Sequence, residues 1–201
     1  MLSAMDSKVI AWARAVKARH RGHTWPAIWL FTDDVRLPDP RPVAARLPRG
    51  AAGIVLRHDA DPARAALGRD LARICRDRRL VLVVAGDARL AVDLGAGLHL
   101  RAGRRTARVP GLRPGKPRTA SAHGRADLVR ARHAGADLVF LSPIFPTASH
   151  PGAPALGPIR WAVLARAASL PVLALGGVGP VTVRRLPRRF CAGAGAIGAF
   201  S

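Results

Sequence analysis

Residues 61–87, DPARAALGRDLARICRDRRLVLVVAGD, hold the pattern that decides the fold. An Ala- and Arg-rich stretch of helical character runs to Arg79 and is followed by the unbroken apolar run LVLVVA, Leu80–Ala85. A strand with one wet face alternates apolar and polar residues, whereas an unbroken run suits a parallel strand covered on both faces. The same unit recurs along the chain. Working outward, the apolar runs are AIWLFTDD (27–34), GIVLRH (53–58), LVLVVAGD (80–87), GLHLRAG (97–103), RTASAH (118–123), ADLVFLSPIF (136–145), PVLALGG (171–177) and AGAIGAF (194–200). Helical stretches lie between several of them, including GRADLVRARHAG (124–135) and GPIRWAVLARAA (157–168), with short connections.

Eight such runs in 201 residues predict an α/β chain folded as a single small (β/α)8 TIM barrel. A doubly wound open sheet is the competing topology, but no Gly-x-Gly-x-x-Gly turn follows the first run, where a dinucleotide site would need it. The last run ends almost at Ser201, so the helix that would cover it is expected to be absent. Residues 1–26 are read as an amphipathic helix and lead-in, and 27–201 as the barrel domain. Val9, Trp12, Ala13 and Val16, spaced three and four apart, predict a helix over Asp6–His20, expected near the barrel's uncovered flank or its bottom. Ala102–Lys116, rich in Arg, Gly and Pro, predicts an irregular connection in place of a fourth helix.

The formal charge of +21 raises the question of a nucleic-acid partner. The 33 basic residues are nearly all Arg, they spread over most helices and loops, and there is no Tyr. A stacking platform needs aromatic faces, so no specific nucleic-acid partner is expected. Arg, Asp and Pro interrupt every apolar stretch before it reaches membrane-spanning length, so no membrane partner is expected either. Two cysteines without metal-ligand spacing, Cys75 and Cys191, and no secretory signal point to the cytoplasm.

In a β/α barrel the loops after the strands build the active site. The residues ending the runs are therefore the candidates: Asp33 and Asp34, Arg57 and His58, Asp87, His99, Ser121 and His123, residues 142–150, and Gly176 and Gly177. Ser121 and His123 are two apart, so on a strand their side chains share a face. An imidazole that titrates near neutrality suits acid–base work, and His123 is the leading catalytic candidate with Ser121 beside it; a helix cap with Gly124 is its structural alternative. Arg57 either forks onto a phosphate or pairs with Asp33, Asp59 or Asp87. Gly176 and Gly177 either present backbone N–H groups to a phosphate or serve a tight turn.

The segment GADLVFLSPIFPTASHPG, Gly135–Gly152, resembles the signature of the thiamine phosphate synthase and TenI-type thiazole tautomerase family. LFTDD, VLRH, GD, AGLHL, SAH and PVLALGGV follow in that family's order. The resemblance implies a thiamine-biosynthesis enzyme acting on small phosphorylated thiazole and pyrimidine ligands. It implies substrate or phosphate binding by Arg57, Thr147, Ser149, His150, Gly176 and Gly177, and proton transfer at His123. It also implies Mg²⁺. Here the departures bear: Val55, Arg57 and Asp59 stand where a synthase has Gln-x-Arg-x-Lys, and Gly86, Asp87 and Gly103 stand where it has Asn, Asp and a later Asp. Asp87 alone remains as a metal ligand, whereas a hard cation usually takes several oxygens; its alternative is a salt bridge or a helix N-cap. Three expectations follow: a synthase joining hydroxymethylpyrimidine diphosphate to thiazole phosphate, a metal-independent tautomerase using His123, or a non-catalytic barrel that binds phosphorylated ligands.

Overall fold

The computed structural model describes residues 4–20, 22, 24–101, 110–147, 152 and 154–197, with side chains from Lys8 onward. Its strands are β1 (Ile28–Phe31), β2 (Ala52–Leu56), β3 (Val81–Ala85), β4 (Gly97–Leu100), β5 (Arg118–Ala122), β6 (Leu138–Leu141), β7 (Val172–Ala174) and β8 (Gly193–Ala196). They form one closed barrel in chain order. Every pair is parallel, and β8 returns to β1 through Ile28 opposite Ala194. The open sheet is thereby excluded.

Helices α1 (Ala4–Arg19), α2 (Arg41–Arg46), α3 (Arg64–Arg78), α4 (Ala88–Asp93), α5 (Arg125–His133) and α6 (Gly157–Ala167) surround it. Between β7 and β8 the described chain forms a single 3-10 turn, Val183–Arg185, hemmed in by Pro180 and Pro187. Proline supplies no N–H and clashes with the preceding turn, which keeps that segment from continuing as an α-helix. Of the predicted irregular connection, 102–109 lie outside the described residues, and 110–116 contain only turns and irregular chain.

Side chains along each strand alternate between the barrel interior and the helical layer. Trp29, Phe31, Val55, Val83, Ala85, Leu138, Phe140 and Leu173 form the inner cluster. Phe140 stands edge-on to both Trp29 and Phe31, with centroids 5.6 and 4.8 Å apart, and each such pair adds about 1 kcal/mol to its area burial. Glycine makes the room: a Cβ on Gly53 would lie 2.3 Å from the Trp29 ring, and one on Gly195 would lie 2.7 Å from the Phe31 ring. The outer layer is tied by specific bonds as well as packing. Trp161 of α6, fully buried, donates its Nε1–H to the Leu141 carbonyl at 2.9 Å.

Helix α1 packs on β8 and the 3-10 turn through Val9, Trp12, Ala13 and Val16, all buried. Lys17 donates to the Trp25 carbonyl at 2.8 Å, which fixes the helix end beside the strand N-termini. Burial lowers the Lys17 pKa from its ordinary value. Among the described residues no helix is long and apolar enough to cross a membrane. Both cysteines are buried free thiols whose pKa burial pushes up to about 12, which leaves them inert as nucleophiles.

Candidate active site

The inward register that fills the core with apolar groups continues past each strand and ends on polar ones. Trp29 and Phe31 lead to Asp33, Val55 to Arg57, His99 to Arg101, Ser121 to His123, and Phe140 to Ser142. These terminal residues line a cavity of about 440 Å³ at the strand C-terminal ends. A second cavity of about 460 Å³ adjoins it under the loops after β6, β7 and β8, lined by Thr147, Gly176, Gly177, Thr182 and Arg36. Arg57, Ser142 and Leu175 belong to both walls.

Arg57 spans this boundary because its backbone and side chain are both fixed to the end of β1. Its N–H donates to Thr32 Oγ1 at 2.9 Å, its Nε–H to the Thr32 carbonyl at 3.1 Å, and its terminal nitrogen meets Asp33 at 2.5 Å. Arg36 holds the same Asp33 oxygen at 2.6 Å. Burial opposes charge on Asp33, but the Arg36 hydrogen bonds and the two guanidinium charges outweigh it and hold the carboxyl well below the usual carboxylate range. Of the pairings open to Arg57, the structure selects Asp33.

His123 does not cap α5. Its backbone N–H donates to Asp127 in the first turn at 2.9 Å, and its ring turns to β6, where Nδ1–H donates to the Ser142 carbonyl at 3.0 Å. A carbonyl can only accept, so in the neutral ring Nδ1 carries the hydrogen and Nε2 is the acceptor. The ring shares its cavity with Ser121, His99 and Arg57.

His99 and His58 are structural. His99 is fully buried, with Nδ1 2.7 Å from Thr119 Oγ1 and Nε2 2.8 Å from Ser121 Oγ. Burial first, then the charges of Arg57 and Arg101, push its pKa down to about 3. His58 is 1% exposed, with Nε2 on the Pro38 carbonyl at 3.1 Å and Nδ1 on Thr32 Oγ1 at 2.9 Å. Both ring nitrogens of His58 are thus spent inside the fold. An unfolded His99 takes up a proton near pH 6.5, but the folded one resists until about pH 3. Its contribution is therefore complete above pH 6.5 and lost as pH falls through that window, at up to about 1 kcal/mol per pH unit. Urea unfolding from pH 7 to 4 is expected to show this slope, and His99→Gln to flatten it; an equal slope in both proteins would show that other groups set the acid sensitivity.

Gly176 and Gly177 have φ of 88° and 65°. A Cβ at Gly176 would lie 2.8 Å from Pro143, and one at Gly177 would lie 2.5 Å from the Pro146 carbonyl oxygen. The turn and the cavity wall are thus one feature: loops six and seven meet without side chains, joined by Phe145 N–H on the Gly176 carbonyl at 3.2 Å. Thr182, unremarked in the sequence, ties the loop by accepting from Gly179 N–H and donating to the Gly177 carbonyl, at 2.9 and 2.8 Å. Thr147 lines the same cavity, and Ser149 and His150 lie outside the described residues.

Asp87 lines neither cavity. It is the N-cap of α4, accepting from Leu90 N–H at 2.9 Å, and it lies 3.7 Å from Arg64. Sequence reasoning also missed Arg36, Arg64 and Arg101. Arg101 reaches Asp59, which Arg64 holds at 3.4 Å.

An eight-stranded parallel barrel whose polar groups converge on a divided cavity at the strand C-terminal ends has the layout of a β/α-barrel enzyme site. Residues 30–200 match the family described as TMP-TENI, thiamine monophosphate synthase, and the chain belongs to that family. The thiamine-phosphate synthase of Thiobacillus denitrificans is 38% identical over 146 residues, covering 68% of this chain and 67% of that protein. The thiamine biosynthesis bifunctional protein ThiED of Geobacter sulfurreducens is 36% identical over 120 residues, 57% of this chain. The match spans only 24% of that bifunctional relative. A thiamine phosphate pyrophosphorylase structure from Pyrococcus furiosus shares the fold, with a TM-score of 0.71 at 22% identity over 86% of this chain and 85% of that one.

The Mg²⁺ implied by the resemblance does not fit the carboxylates among the described residues. Asp33 is held by Arg36 and Arg57, Asp59 by Arg64 and Arg101, and Asp87 is spent on a helix cap. Among the described residues no three His, Cys, Asp or Glu side chains come together as a metal site.

Proposed function

We propose that this chain is a thiamine-phosphate-synthase-type transferase of the cytoplasm, joining a pyrimidine methyl diphosphate to a phosphorylated thiazole. The observation that carries this reading is the pair of adjoining cavities, about 440 and 460 Å³, that share Arg57, Ser142 and Leu175. A two-substrate condensation needs two subsites meeting at one reacting point. The thiazole phosphate belongs with Gly176, Gly177, Thr147 and Thr182. The pyrimidine belongs beside Ser121, His123 and Arg101. In the reaction the methylene C–O bond breaks, its electron pair leaves with the diphosphate, and the thiazole nitrogen supplies the pair for the new C–N bond. Arg57, at the shared wall, faces the charge that develops there.

One observation favours a second reading. The orientation of His123, with Nδ1 spent on Ser142 and Nε2 left for proton exchange, suits tautomerisation of a thiazole phosphate. Assaying the purified protein with both substrates, and with the thiazole phosphate tautomer alone, separates the two. Coupling that survives in His123→Asn at a tenth of the rate or better is the expected result. Metal-independent tautomerisation lost in that variant, without coupling, would transfer the assignment to the second reading. Silence in both assays would leave a ligand-binding barrel.

A further inference from the structure

Around the cavity beside His123, which Arg57 and Arg101 line, four guanidinium groups share two carboxylates, Arg36 from the adjoining cavity and Arg64 from behind Asp59. Arg36 and Arg57 bridge Asp33 at 2.6 and 2.5 Å. Arg64 and Arg101 bridge Asp59, Arg64 at 3.4 Å. Each carboxylate balances one of its two cations. Asp34 also lines the wall, and Asp87 stands 3.7 Å from Arg64 at its outer side. Arg101 is the member placed by design of the backbone: Gly86 at the end of β3 has φ of 70°, and a Cβ there would lie 2.7 Å from Arg101 Nε. With no side chain at Gly86, the guanidinium lies across the end of β3 and reaches Asp59. Arg64, anchored by its donation to the Ala85 carbonyl at 2.6 Å, backs the same carboxylate.

We infer that these guanidinium groups, Arg101 and Arg57 foremost, take the charge-neutralising role of a divalent cation, so that a diphosphate binds and departs here without metal. The inference rests on the synthase reading for its substrate, and its chemistry is that of a fork-shaped cation on phosphate oxygens. Asp59 is then the anion that the diphosphate displaces. An arriving diphosphate exchanges one carboxylate partner for several phosphate oxygens, which the fork-shaped donors of Arg57 and Arg101 can bind two at a time.

The test uses inorganic pyrophosphate as probe, followed by calorimetry on the full chain in excess EDTA. Binding is expected without Mg²⁺, weakened at least tenfold in Arg101→Met and tightened severalfold in Asp59→Asn, because the competing carboxylate is gone. A merely structural ion pair would not give the gain. Pyrophosphate binding that requires Mg²⁺, or that ignores Arg101→Met, or that weakens in Asp59→Asn, overturns the inference. Coupling assayed in EDTA and in Mg²⁺ keeps the two readings apart. Coupling that appears only with Mg²⁺ upholds the synthase and sinks the arginine role, whereas metal-free pyrophosphate binding without any coupling does the reverse.

Discussion

Replacing Arg57 by Met is expected to lower kcat/KM for coupling by about 10²- to 10³-fold, the usual cost of removing one fixed charge from a developing anion. The size follows from position. Arg57 is the charged side chain common to both cavities, and its Nε on the Thr32 carbonyl and terminal nitrogen on Asp33 hold it there before substrate arrives. A side chain ordered in advance loses little entropy on binding. Steady-state kinetics on Arg57→Met and Asp33→Asn, with the double variant, would check it. The double variant should be little worse than Arg57→Met, since Asp33 acts by holding Arg57 in place. Additive losses would show that Asp33 has a separate task. A thermal melt close to that of the parent is expected, because Arg57 is about one-third exposed and Asp33 keeps Arg36.

The largest loss of stability is expected at Gly53→Ala, about 3 kcal/mol. The new methyl carbon would stand 2.3 Å from the ring of Trp29. That ring is fully buried, held by Nε1–H on the Pro26 carbonyl at 2.7 Å and by the edge-on Phe140. It has no space into which to move. Overpacking of this kind costs about 1–3 kcal/mol and occasionally more, and for a chain of this size 3 kcal/mol corresponds to a fall in Tm of roughly 6–12 °C. Denaturant unfolding of Gly53→Ala, Trp29→Leu and the double variant would test the cause. The double variant should lose less than the sum of the singles, and strict additivity would remove Trp29 from the explanation.

The fold was legible because parallel strands buried on both faces leave unbroken apolar runs, and each of the eight runs contains or overlaps its strand. The residues that line the candidate cavity were legible to the depth of one register position. Arg57, Ser121 and His123 were found as the residues that end the runs. Arg101 was passed over although it stands two beyond His99, where the inward register continues, because its Arg composition resembles that of the solvated surface. Arg36 and Arg64 lie on a turn and a helix start and reach the mouth only through the closed barrel; no local spacing announces them. Of the readings open for Asp87, metal ligand, salt bridge or helix cap, the structure shows the cap, with Arg64 3.7 Å away. Gly86, noted as a lost ligand, lies directly under the Arg101 side chain.

The seating of α1 on β8 carries a consequence for how the chain comes into being. A ribosome delivers the helix well before its resting place, so until β8 has been made the apolar stripe of Val9, Trp12 and Val16 has nowhere to dock. The β1 edge waits equally long for β8. Contacts so distant along the chain close slowly and leave sticky intermediates in the meantime. Until β8 is in place neither the barrel nor the seat of the helix exists, and the helix then acts as a latch across the closure.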